Sequence, residues 1–78
     1  MPEEIHERIK KDIEMFYPNA EKVSSANLTA KQKRVLELSK MYASDAKSYL
    51  DKGDLYTAFS CISYAHGLLD SLREILDV

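Results

Sequence analysis

His66, Asp70 and Arg73 stand four and three residues apart, so on a helix they rise along one side. At that spacing His66 can donate to Asp70, and Asp70 can pair with Arg73. An imidazole oriented by a carboxylate serves as a general base or as an anion-binding group. No serine or cysteine nucleophile and no oxyanion donor can be placed beside it from the sequence, so no catalytic residue is assigned and the protein is read as a non-enzyme. The cluster is instead expected to be a half-buried histidine, satisfied by its neighbours, that holds its helix against the end of another. Cys61 precedes His66 by five residues and so occupies another part of the helical wheel, while His6 has no His or Cys at a ligand spacing. No metal and no cofactor are expected, and Cys61 reads as a small core residue rather than a nucleophile.

Phosphate recognition is the second chemistry the residue types could support. Lys33, Lys40 and Lys47 recur every seven residues, with Arg34 and Lys31 beside them. Such a stripe could meet a nucleic-acid backbone or a nucleotide. Glu37 interrupts it, no exposed aromatic side chains are interleaved for base stacking, and the formal charge of the chain is -2. Weak RNA or nucleotide binding through Lys33, Arg34, Lys40 and Lys47 is therefore the alternative function, and a solvated helix face is the first reading of these residues.

A different signal comes from the absence of charge. Leu55 to Leu69 contains no Asp, Glu, Lys or Arg in a chain that is 31% charged. On a helical wheel its solvent side, continued to Ser71, presents Tyr56, Ser60, Ser63, Tyr64, Gly67 and Ser71, where an ordinary surface helix would carry Lys and Glu. Aromatic anchors among small residues suit a second helix packing onto them. A helix-interior glycine costs about 1 kcal/mol relative to alanine, so Gly67 asks for a close backbone approach, either by a partner or by the chain itself.

Three helices must position these residues. The first starts at Pro2, carries Glu3 and Glu4 at the positive end of its dipole, and repeats Ile5, Ile9, Ile13 and Phe16 at spacings of four and three. Glu4 with Arg8 and Glu7 with Lys11 are favourably ordered pairs, and Pro18 is expected to stop the run. Pro18 to Leu28 then reads as a loop crossing over the bundle, pinned by Val23 and able to cover the uncharged face. Thr29 and Gln32 form a capping box for a second helix of about 23 residues with Val35, Leu38, Tyr42, Ala46 and Tyr49 as its inner face. Gly53 ends it, and Asp54 caps a third helix whose core side is Leu55, Ala58, Ile62, Ala65, Leu69, Leu72 and Leu76, widened by Cys61 and Leu68. Pairing about this turn sets Tyr42 near Tyr64 and Tyr49 near Thr57. The expected fold is all-α, a three-helix up-and-down bundle with a tight αα-hairpin between helices two and three, forming one domain over residues 1–78.

The segment from Asp45 to Arg73, DAKSYLDKGDLYTAFSCISYAHGLLDSLR, resembles a small archaeal family catalogued as domain of unknown function 357. That resemblance implies a short three-helix protein and brings no activity with it. Gly53, Ala58, Ile62 and Ala65 are also spaced like the turn of a tetratricopeptide repeat, but there is no second copy to stack on it. The same turn looks like the HEPN domains that accompany nucleotidyltransferases, some of which are ribonucleases with an Arg a few residues before a His. Cys61, Ile62, Ser63, Tyr64 and Ala65 precede His66 here, so the catalytic form of that resemblance fails at its defining position.

Composition agrees with a small soluble module. The single cysteine cannot form an internal disulfide, the N-terminus has no signal-peptide order, and the uncharged run is shorter than the ~20 residues that span a bilayer. A cytoplasmic protein with no membrane contact is expected. A core of this size contributes roughly 3–5 kcal/mol, which leaves room for stabilisation by a partner. The first functional expectation is a protein–protein interaction module, docking on another protein or on a second copy through the outer face of helix three.

Overall fold

Short polar motifs set the helix boundaries. The structure, a computed structural model, describes residues 2–78, with α1 at Pro2–Ser24, α2 at Ala30–Asp51 and α3 at Leu55–Leu76. Thr29 Oγ1 accepts from the Gln32 backbone N–H at 3.1 Å, and the Gln32 side chain returns the bond to Thr29 N at 3.0 Å, which completes the capping box of α2. At the other end Gly53 has φ +83°, the Asp54 N–H reaches the Tyr49 carbonyl at 2.9 Å, and the Gly53 N–H reaches Leu50 at 3.0 Å. This left-handed closure turns the chain within Lys52–Asp54, and Asp54 Oδ1 accepts from Thr57 N at 3.1 Å to start α3.

Tight turning brings small residues together. Ala43 and Ala46 of α2 and Ala58 and Ala65 of α3 are all fully buried, which lets these two helices share the largest interface in the molecule. Tyr42 meets Tyr64 edge to face at the rim of that interface, with ring centroids 4.6 Å apart. The third helix, α1, lies against both partners through Ile9, Ile13, Phe16, Ala20 and Val23. All three helices are therefore mutually packed, and the bundle runs up, down and up.

Two expectations fail, and each failure has a physical reason. Pro18 does not stop α1, which continues as helix to Ser24. Phe16, Ala20 and Val23 extend the buried stripe of Ile9 and Ile13 at spacings of four and three, and burying them outweighs the hydrogen bond that Pro18 removes. Pro18 itself is exposed, so the Glu14 carbonyl it leaves without a helical donor faces the solvent side, and the next residue, Asn19, donates its side-chain amide to Met15 O at 3.3 Å. The connection to α2 is thus only residues 25–29, and no loop over 18–28 crosses the bundle or covers the uncharged face.

The inner face of α2 is also rotated by about one residue from the expected one. Leu36, Ser39, Ala43, Ala46 and Leu50 are buried, Val35 and Tyr42 flank the core, and Leu38 and Tyr49 are exposed. Weight given to bulky residues selects 35, 38, 42 and 49, whereas close packing selects the small ones. Ser39 enters the core at no unpaired polar cost because its hydroxyl donates to Leu36 O at 2.7 Å. On α1, neither Glu4–Arg8 nor Glu7–Lys11 closes to ion-pair distance among the described residues, while His6 and Glu7 approach to 3.8 Å.

Replacing Pro18 by Ala restores the helical donor, and the gain is expected to exceed the lost rigidity of the unfolded chain, stabilising the protein by about 1–2 kcal/mol in urea denaturation. A destabilised variant would show instead that α1 needs the proline. Thr57 hydrogen bonds, side chain first and backbone second, hold the Asp54 carboxyl below its ordinary 3.8. A depressed folded-state value means that this contribution is complete above 3.8 and is lost as pH falls through the lowered value. Asp54→Asn is therefore expected to flatten the acid end of the stability profile, and an unchanged profile would contradict this.

Candidate docking face

On α3, buried residues alternate with an open side. Ala58, Ile62, Ala65, Leu69 and Leu72 face inward, and Tyr56, Ser60, Ser63, Tyr64, Gly67 and Ser71 are all exposed, so helical periodicity places the expected face in solvent. Its hydroxyls are turned onto the helix: Ser60 Oγ donates to Tyr56 O at 3.1 Å and Ser71 Oγ to Gly67 O at 2.9 Å. Serines bonded in this way have less hydration to lose when covered. Tyr56 is 83% exposed, whereas Tyr64 is half exposed and braced by Tyr42.

Gly67 has open space beside it, with no atom other than its chain neighbours and its own turns of helix backbone within 4 Å of where a Cβ would stand. The expectation that the crossing chain explains this glycine is therefore wrong, because nothing in the chain approaches it. Ser63 and Gly67 line a shallow groove between α1 and α3 with Asp12, Met15, His66 and Asp70.

Sequence reasoning missed how far the apolar surface extends. Ile75, 68% exposed, continues the α3 face, and Leu38 and Met41 add exposed apolar surface on α2. The signal for Ile75 was present, since it follows Ser71 by one turn. Leu38 was assigned to the core by the rotated wheel.

The polar cluster is not assembled as expected. His66 Nε2 lies 2.7 Å from the Asp12 carbonyl oxygen on α1, an acceptor only, so the ring donates there and not to Asp70. Its ring also meets Phe16 edge to face at 5.7 Å. Arg73 Nε donates to the Val78 carbonyl at 3.2 Å, closing the C-terminal end of α3 instead of pairing with Asp70. His66 thus ties α3 to the middle of α1. Cys61 is half-buried against the core, and burial first, then the charges of Asp45 and Asp54, push its thiol above the ordinary range. That is the opposite of an activated thiolate.

The basic residues do not stand alone. Lys33, Arg34 and Lys47 are exposed and Lys40 is partly so. Lys47 lines a cleft between α1 and α2 with His6, Lys10 and Tyr17, and also with the carboxylates of Glu14 and Asp51. An anion entering there meets both signs of charge. Among the described residues no three His, Cys, Asp or Glu side chains gather as a metal site, and no helix is long and apolar enough to cross a membrane.

Residues 11–76 match the family described as "Protein of unknown function (DUF357)", and the chain belongs to that family. No curated protein matches the sequence.

His66→Ala removes one partly buried hydrogen bond and an aromatic edge, with an expected cost of about 1–2 kcal/mol. Asp70→Ala is expected to change stability by no more than about 0.5 kcal/mol, as for an ordinary surface position. Denaturant titration of both variants checks the assignment, and a larger loss from Asp70→Ala would contradict it.

Proposed function

We propose that this protein is a non-enzymatic interaction module that docks through the uncharged outer face of α3. The observation that carries this reading is the exposure of Tyr56, Tyr64 and Ile75 on a helix side that bears Ser60, Gly67 and Ser71 and no charge between Leu55 and Leu69. Binding would work by helix-on-helix burial. Tyr64 is a preorganised anchor, because its contact with Tyr42 limits the rotamer freedom lost on docking. Gly67 supplies the recess. The half-buried Cys61 thiol suits a reducing cytoplasm, which is the setting proposed for the chain together with the archaeal origin that the resemblance implied.

Phosphate binding by Lys33, Arg34, Lys40 and Lys47 is the lesser reading. The mixed charges of the cleft at Lys47 favour protein contact over nucleic acid.

Gly67→Leu and Tyr64→Glu separate folding from docking. A Cβ at Gly67 meets nothing in the chain, and replacing a helical glycine by a better helix former is worth about 1 kcal/mol, so Gly67→Leu is expected to leave the fold intact or firmer. Both variants should retain the circular dichroism of a helical bundle and lose association, whether with a second copy or with another protein captured on immobilised chain. Association unaffected by either substitution would mean that the docking face lies elsewhere.

A further inference from the structure

The exposed stripe of α3 has a spacing that reads the same in both directions. Tyr56, Ser60, Tyr64, Gly67, Ser71 and Ile75 are separated by four, four, three, four and four residues, and all six are exposed and uncharged. Turning a copy end over end about the midpoint between Ala65 and His66 sets Tyr64 over Gly67, Ser60 opposite Ser71 and Tyr56 opposite Ile75. Large meets small at the centre, and the two most exposed large hydrophobic side chains among the described residues, at 83% and 68%, meet at each end.

A second stripe obeys the same symmetry. Tyr42 of α2 faces α3 through Tyr64, and the charge of Asp45 reaches Cys61, so the side of α2 carrying Leu38, Tyr42 and Asp45 borders the α3 face. Along its exposed edge run Arg34, Leu38, Met41 and Asp45, spaced four, three and four, again the same in both directions. Their midpoint lies between Ser39 and Lys40. With Tyr42 level with Tyr64, that midpoint is level with His66 and Gly67, one residue or about 1.5 Å from the centre of the α3 stripe. One two-fold axis therefore serves both helices.

We propose that the occupant of this face is a second copy of the same chain, packed antiparallel across a two-fold axis so that the α2–α3 hairpins of the two copies stack face to face as two layers of two helices. This rests on the interaction-module reading above and names its partner. Charge selects the direction: the antiparallel copy puts Arg34 beside the partner's Asp45 twice, whereas a parallel copy would oppose like charges. Two helices about 10 Å across, over about 20 residues at 1.5 Å each, offer a footprint of about 600 Å² per copy. That is of the order of the ~800 Å² per partner that a specific complex buries.

Sedimentation equilibrium of the full chain over a wide concentration range tests this, with Arg34→Asp, Asp45→Arg, the double reversal and Tyr64→Glu beside it and circular dichroism as the folding control. The wild type is expected to be a dimer, each single reversal to weaken it about tenfold, and the double reversal to restore most of the loss. A wild type that stays monomeric overturns the second copy alone, leaving the docking face for another protein. A dimer that needs Tyr64 but ignores both reversals overturns the antiparallel arrangement. A dimer indifferent to Tyr64→Glu and to both reversals overturns this inference and the docking reading together.

Discussion

The register of α2 against α3 is the constraint from which the rest follows. Gly53 in the left-handed region reverses the chain in three residues, and the buried alanines at 43, 46, 58 and 65 let the two helices close on each other. Once these alanines face one another, the core side of each helix is set, and so is the side left over. Slipping the register by one residue would turn α3 by about 100° relative to its neighbour and bury part of the uncharged face. Function on this account is a by-product of which residues the hairpin leaves outside. The contribution of α1 is to cover the opposite side, held by its aliphatic stripe and by the bond between His66 and the Asp12 carbonyl.

The polar groups that first suggest chemistry are absorbed by this architecture. His66 ties two helices, Asp54 caps the start of α3, Arg73 closes its end, and Ser39 satisfies itself within the core. His66 lines a shallow groove between α1 and α3 with its Nε2 already bonded to the Asp12 carbonyl. Cys61 has its thiol pushed up by burial and nearby carboxylates, where a nucleophile would need it lowered. What remains unspent is surface: tyrosines, serines bonded to their own helix, a glycine and apolar side chains.

Much of the fold was legible because its punctuation is local. The Thr29–Gln32 capping box, the Gly53 turn and the Asp54 cap each act over three residues, and the α3 core stripe stands out by its leucines and alanines. Pro18 misled because proline reports a local cost, while the gain from burying Phe16, Ala20 and Val23 is tertiary. Leu38 and Tyr49 misled for the opposite reason: size suggests core, but the seam chose Ser39 and Ala43. The outer face of α3 was readable from missing charge alone. Its extension to Ile75 could have been read in the same way, one turn past Ser71, whereas the part formed by Leu38 and Met41 was not legible, since it depends on how far α2 is rotated.

Small-angle X-ray scattering from the full chain tests the central claim, that this face is covered by a second copy, most directly. The single chain measures 41 × 17 × 15 Å along its principal axes. Side-by-side antiparallel packing predicts a particle of twice the mass whose longest dimension stays near that 41 Å while its cross-section widens. A single-chain mass, or a doubled mass in a particle close to twice as long, would contradict it.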